Sequence, residues 1–221
     1  MRRRPAVTVL ALAPLLALPR AVPAQAPAPL VEAAGRGDLA LVRKLLETGS
    51  PVEQRDARRR TPVLAATAGN HLEVVRLLIS RGADVNAQDD QRDSAFLLAG
   101  ASGHTGIVRA TLAAGADLKS TNRYGGTALI PACHHGHVET VRVLLATAID
   151  VDHVNNLGWT ALLEAVLLGD GGPAHVEIVR MLLARGARTG IADREGVTPL
   201  QHAVRRNQAE VAQLLRAAGA R

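Results

Sequence analysis

Apolar residues along the chain fall into short clusters that return at a fixed distance. From Thr61 the sequence runs TPVLAATAGNHLEVVRLL, and 33 residues later Ser94 opens SAFLLAGASGHTGIVRATL. Another 33 brings TALIPACHHGHVETVRVLL from Thr127, and 33 more brings TALLEAVLLG from Thr160. The frame extends back to APLVEAAGRGDLALVRKLL from Ala28 and forward, after a spacing of 38, to TPLQHAVRRNQAEVAQLL from Thr198. Val74, Val75, Leu77 and Leu78 in one copy, and Val141, Val143, Leu144 and Leu145 in another, have the spacing of a buried helical stripe. One such unit cannot bury its own apolar face, so the period predicts a stack of helical pairs stabilised by their neighbours.

The slots within each copy have mechanical reasons. Thr61, Ser94, Thr127, Thr160 and Thr198 stand where a hydroxyl caps the first helix, and Pro62 and Pro199 sit at its first turn. Small residues follow, such as Ala65 with Ala66 and Ala132 with Cys133, which let helices approach closely. Gly103, Gly136 and Gly169 are predicted to end the first helix in the left-handed conformation, with Asn70 and Asn207 substituting in two copies. The second helix closes on Gly82-Ala83-Asp84, Gly115-Ala116-Asp117 or Gly186-Ala187, and a finger-like loop leads to the next copy.

This pattern resembles the ankyrin repeat, and the resemblance runs from about residue 28 to 221. It implies an all-α solenoid of about six helix-loop-helix repeats with β-hairpin-like finger loops. The repeats fall near 28–55, 56–88, 89–121, 122–154, 155–192 and 193–221. Glu32 and Asp38 mark the first as a cap, and the last is expected to turn Arg205, Arg206, Gln208 and Gln213 outward. The fifth departs from the frame. Its inter-helix turn, Gly169 to His175, carries five extra residues, which read either as a binding loop or as drift in a tolerant loop.

The N-terminus reads as an export signal. Arg2, Arg3 and Arg4 precede an apolar run from Ala6 to Leu18, and the small-residue stretch Ala21 to Ala24 offers a cleavage site. Residues 1–24 are therefore expected to be a signal peptide and 25–221 the repeat domain, exported to a bacterial periplasm. The apolar run is too short to span a bilayer; retention as an anchor and twin-arginine export are the alternatives. No membrane span is expected in the mature chain. The whole chain has 26 Lys plus Arg against 20 Asp plus Glu, a net charge of +6. Removing the signal takes four arginines and no acids, leaving 22 against 20 and a net charge of +2. The basic excess that would point to nucleic acid mostly leaves with the signal. With the single cysteine Cys133 there is no internal disulfide, so stability rests on packing.

Composition gives the candidate site. The chain has one Phe, one Trp and one Tyr, and the Trp and Tyr both fall in finger slots. The resemblance implies that partners are gripped by finger tips and by the inner face of the first helices. The variable finger slots here hold Arg58 and Arg60, then Asp90, Gln91 and Asp93, then Arg123 and Tyr124. Asn156, Leu157 and Trp159 follow, then Arg194 and Glu195. The first helices contribute His134, His135, Leu167, Leu168, Arg205 and Arg206. Leu157, Trp159, Leu167 and Leu168 are expected to form an apolar patch, and Trp, Tyr and Arg are enriched at binding hot spots. The opposing reading has Trp159 fold back over its finger.

The reading is a monomeric protein-binding module, not an enzyme, with no cofactor. One alternative is a structural factor assisting assembly of an exported enzyme. Another is a metal or small-molecule binder using His134 and His135. His137 takes the repeat's usual histidine position, as do His71, His104 and His175, which argues for loop-tying hydrogen bonds over zinc. No phosphate-binding Gly-rich loop, nucleophile elbow or zincin helix is present, and Glu73, Glu139 and Glu177 recur as a solvated face.

Overall fold

The computed structural model describes residues 28–221; the predicted signal segment 1–24 lies outside the described residues. Among those residues there are twelve helices and no β-strand. They form six pairs. The first three are α1 Pro29–Gly35 with α2 Leu39–Glu47, α3 Pro62–Ala68 with α4 Leu72–Ser80, and α5 Ala95–Ala101 with α6 Thr105–Ala113. The last three are α7 Leu129–His134 with α8 Val138–Leu145, α9 Ala161–Leu167 with α10 Pro173–Ala184, and α11 Pro199–Arg205 with α12 Ala209–Ala217. Odd-numbered helices pack on one another in chain order, and even-numbered helices do the same. The result is a two-layer all-α solenoid with hairpin-shaped loops between pairs.

Helix starts follow the sequence at all but one of the predicted caps. The hydroxyls of Thr61, Ser94 and Thr160 accept the backbone N–H three residues ahead at 3.3, 3.2 and 3.2 Å. Thr198 forms a reciprocal capping box with Gln201. Thr127 does not cap; its hydroxyl is buried without a hydrogen-bond partner, and α7 starts two residues later at Leu129. Pro131 supplies the reason. In the other four repeats the residue four beyond the cap donates its N–H to the cap carbonyl, and proline has no N–H to donate. The Thr127 carbonyl instead accepts from Ile130 N–H at 3.3 Å, the same N–H its hydroxyl would have held.

Small residues set the spacing of the odd-numbered layer. Ala34, Ala66, Ala99, Ala132 and Ala165 are buried, as is Cys133. A Cβ placed on Gly100 would lie 2.8 Å from the Ala128 Cβ and 2.9 Å from its carbonyl oxygen, so α5 and α7 could not keep their separation with any larger residue. The even helices bury one stripe each, such as Val74, Val75 and Leu78 on α4, and expose the other. That exposed side carries an ion-pair ladder. Arg142 reaches Glu139 at 3.3 Å and Glu177 at 3.4 Å, while Arg180 reaches Glu177 at 2.6 Å and Glu210 at 3.5 Å.

The inter-helix turns are tied across repeats by side chains. His71 Nε2 donates to the Gly35 carbonyl at 3.2 Å, His137 Nε2 to Ala101 at 3.2 Å, and His175 Nε2 to His134 at 2.9 Å. Three of the four repeated histidines thus tie neighbouring turns, and His104 makes no such bond among the described residues. Gln208 holds this position in the last repeat. It is buried and donates to the Val166 and Gly169 carbonyls, so the expectation that it turns outward is wrong.

The fifth repeat needs two corrections. Asn70, Gly103, Gly136 and Asn207 are left-handed as predicted, but in this repeat the left-handed residue is Gly171, with φ of 71°, rather than Gly169. Gly169 is required for another reason, because a Cβ there would lie 2.1 Å from the Ala165 carbonyl oxygen. The five extra residues are not all loop either. Pro173 starts α10 early, making it 12 residues long against eight or nine for the other even-numbered helices. Proline's fixed φ and missing N–H suit a first helical turn, so the insertion is largely absorbed as helix.

Candidate functional site

Every finger tip is built in the same way. A side-chain oxygen of Asp56, Asp89, Asn122, Asn155 or Asp193 accepts two backbone N–H groups, two and four residues ahead, at 2.8–3.1 Å. These short polar side chains close the turn as a backbone carbonyl would. Neighbouring tips are then joined: Asp90 N–H donates to the Arg58 carbonyl at 3.1 Å and Asn156 N–H to that of Tyr124 at 2.8 Å. The Arg123 guanidinium donates to Gln91, and that of Arg194 donates to the Asn156 carbonyl. The fingers are therefore a connected edge rather than independent loops.

Between this edge and α5, α7 and α9 lies a groove of ≈ 400 Å³. Tyr124, Leu157, Trp159 and Leu168 give it an apolar and aromatic wall. Asp93, Arg123, His134 and His135 stand around them. The Arg123 guanidinium carbon sits 4.7 Å from the centroid of the Tyr124 ring, and Nη2 donates to the Tyr124 hydroxyl at 3.1 Å. This stacking presents the aromatic ring in a fixed orientation. The His134 and His135 rings stack 4.3 Å apart at 15°.

The other expected site residues lie outside the groove. Arg58, Asp90, Gln91, Asn156, Arg194 and Arg205 are exposed, Arg60 is held by Asp56 at 2.7 Å, and Leu167 is half-buried. Leu167 is thus absent from the groove that gathers Leu157, Trp159 and Leu168. Trp159 is half-buried and lines the groove.

The groove also contains a residue that sequence reasoning missed. Glu164 on α9 is 6% exposed. Its Oε1 accepts from Asn155 Nδ2 at 2.9 Å. Its Oε2 accepts no hydrogen bond from the described residues, and His134 Nδ1 is 3.8 Å away, too far for one. Burial pushes this carboxyl up to about 7, against the smaller opposing effect of the Asn155 hydrogen bond. A signal was present in the sequence. The other internal first helices carry Ala65, Leu98 and Pro131 at this position and only the two terminal repeats carry polar residues there, Glu32 and His202, so an acid in an internal repeat is out of place.

Nearby groups respond to the same enclosure. Burial pushes His134 below its ordinary range, helped by His135 and His175, and keeps it neutral near pH 7. Asp93 is raised by burial and by Asp89, with Arg123 opposing. The Cys133 thiol is buried and raised well above its ordinary value by desolvation and by Glu164. A nucleophilic cysteine needs the thiolate, and this environment disfavours it. Among the described residues no three His, Cys, Asp or Glu side chains converge to hold a metal ion. No helix among them is long and apolar enough to cross a membrane.

A stack of helical pairs with stapled fingers over a lined groove defines a repeat-type interaction scaffold. Comparison with known proteins names the repeat. A family model of ankyrin repeats in three copies matches residues 15–89 and 96–193, and a second, in many copies, matches 173–216. The chain belongs to the ankyrin-repeat family, whose members as a class are protein-interaction modules. An ankyrin repeat domain from Acinetobacter baumannii AYE is 51% identical, with a TM-score of 0.84, covering 87% of this chain and 98% of that one. The ankyrin repeat domain of Bcl-3, a member of the IkappaB protein family, is 29% identical with a TM-score of 0.77, covering 87% of this chain and 86% of that one. The ankyrin repeat protein YahD of Escherichia coli K12 is 49% identical over 57 residues. That match spans 26% of this chain and only 28% of the length of YahD.

Proposed function

We propose that this protein binds a partner protein in the groove formed by the second, third and fourth finger loops over α5, α7 and α9. One observation carries the reading. Tyr124, Leu157 and Leu168 are 50%, 43% and 39% exposed, and all three line a single groove with the chain's only Trp. Exposed large apolar residues scattered singly need no explanation; gathered in one concavity between stapled fingers they mark a surface that gains by being covered. The groove acts by shape, since the connected finger edge holds its wall in place before a partner arrives. Residues 1–24 support action after export, and mass spectrometry of a periplasmic fraction, finding a mature N-terminus at Gln25, is the expected result for that step.

The experiment is capture of partners from such a fraction by the tagged chain and by the Tyr124→Ala, Trp159→Ala double variant. A partner retained by the parent and lost by a variant with unchanged circular dichroism is the expected outcome. Equal retention by both places binding elsewhere on the scaffold.

A further inference from the structure

We infer that the groove recognises a basic side chain, an arginine or lysine of the partner segment, whose cation is taken up by Glu164 while its aliphatic stem lies along the Trp159 and Tyr124 wall. The inference deepens the groove reading and rests on it. Glu164 is buried on α9 and reaches the groove, one oxygen is held by Asn155, and the other accepts nothing from the described residues. A buried carboxylate without a full set of donors is costly, and a cation with N–H donors is the group that satisfies both its charge and its free lone pairs. The surroundings match a long amphipathic side chain. Arginine and lysine stems pack on apolar surface while the head seeks a polar site, and a guanidinium stacks on aromatic faces. The groove offers Leu157, Trp159 and Tyr124 for the stem and Glu164 for the head.

The charged groups facing Glu164 around the groove are Asp93 beside α5, Arg123 from the finger, and His134 and His135 from α7 and its end; the Cys133 thiol lies buried behind it. Arg123 is occupied with Gln91 and the Tyr124 hydroxyl. Burial disfavours the charged form of His134, and the carboxylates of Asp93 and Glu164 outnumber the one fixed cation, Arg123. Binding a cation favours ionised Glu164, so it releases a proton and weakens as pH falls through 7. Protonation of His134 at lower pH adds positive charge and acts in the same direction.

The test is selection of phage-displayed random heptapeptides on the immobilised full chain at pH 8. The expected result is enrichment of peptides with Arg or Lys beside an apolar residue. Replacing that Arg with citrulline, or Lys with norleucine, is expected to weaken binding by about tenfold or more while leaving the protein untouched. Glu164→Gln is expected to weaken the parent peptide equally and to leave the neutral one unchanged. Between pH 8 and pH 6 affinity is expected to fall about tenfold, the change in the ionised fraction of a group titrating near 7. Peptides that bind with no basic preference, or equally well as citrulline forms, but are lost with Trp159→Ala, overturn the inference and leave the groove reading standing. Peptides indifferent to Trp159→Ala and Tyr124→Ala overturn both, as does no enrichment over blank support.

Discussion

In the sixth repeat the Asp193 carboxylate takes two backbone N–H groups of its finger and a third hydrogen bond from His202 Nε2 at 2.6 Å. In the fifth repeat the corresponding two positions hold Asn155 and Glu164. Asn155 Oδ1 closes the finger in the same way, and Nδ2 supplies the bond to the helix residue. The joint has the same shape with the acid moved from finger to helix. Burial raises the Asp193 carboxyl, but the bonds from Val197 and His202 outweigh it and hold it below the ordinary range. Glu164, given one donor, is pushed the other way, to about 7. The same architecture therefore gives a closed structural joint in one repeat and a half-satisfied carboxylate, facing a groove, in the next.

The largest effect is expected from Asn155→Ala, which removes the acceptor of two finger N–H groups and the only donor to Glu164 among the described residues. A loss of about 2–4 kcal/mol in urea unfolding is expected, because buried polar groups are orphaned on both sides. The same change tests whether the finger depends on its buried side chain as the comparison requires. Next comes the pH dependence of the parent. A carboxyl whose folded value lies near 7, above its unfolded value of 4.5, stabilises the protonated native state, so stability is lost between pH 4.5 and 7 and the loss is complete above. It should amount to at most about 3 kcal/mol, and Glu164→Gln should flatten that part of the profile.

Converting the fifth joint into the sixth sharpens the contrast further. Asn155→Asp alone places a second carboxylate beside Glu164 and is expected to lower the unfolding midpoint at pH 8 more than at pH 5. Adding Glu164→His is expected to recover most of that loss by rebuilding the Asp–His pair. The smallest effect belongs to the left-handed position of the first two fingers. Arg59 and Arg92 hold φ of 59° where later fingers have Gly125, Gly158 and Gly196. Arg59→Gly and Arg92→Gly are each expected to stabilise by about 0.5–1 kcal/mol through relief of left-handed strain.

The fold was legible because its determinants are local and repeated. A 33-residue period, hydroxyls at helix starts and paired small residues each reappear often enough to be read without contacts. Departures arose where one residue overrode its slot. Pro131 has no N–H for the Thr127 carbonyl, which takes the Ile130 N–H that the cap hydroxyl would have held, and Pro173 turned an inserted loop into a helical turn. At the site, Tyr124 and Trp159 were visible as aromatics in finger slots of a chain that has almost none. Glu164 was not, since its meaning lies in its pairing with Asn155, nine residues earlier on another element. Arg58, Arg194 and Arg205 share the slot type of the groove residues but stand beyond its ends, a distinction set by how far the groove extends along the stack.

The most direct test of the groove is photocrosslinking in living cells. Benzoylphenylalanine replaces Leu168 in one variant and Arg142, on the solvent face of the even-numbered helices, in another. The expected result is one discrete crosslinked species from Leu168 that disappears when Trp159→Ala is added, with none from Arg142. The same species from Arg142, or a Leu168 adduct that survives Trp159→Ala, would contradict the account.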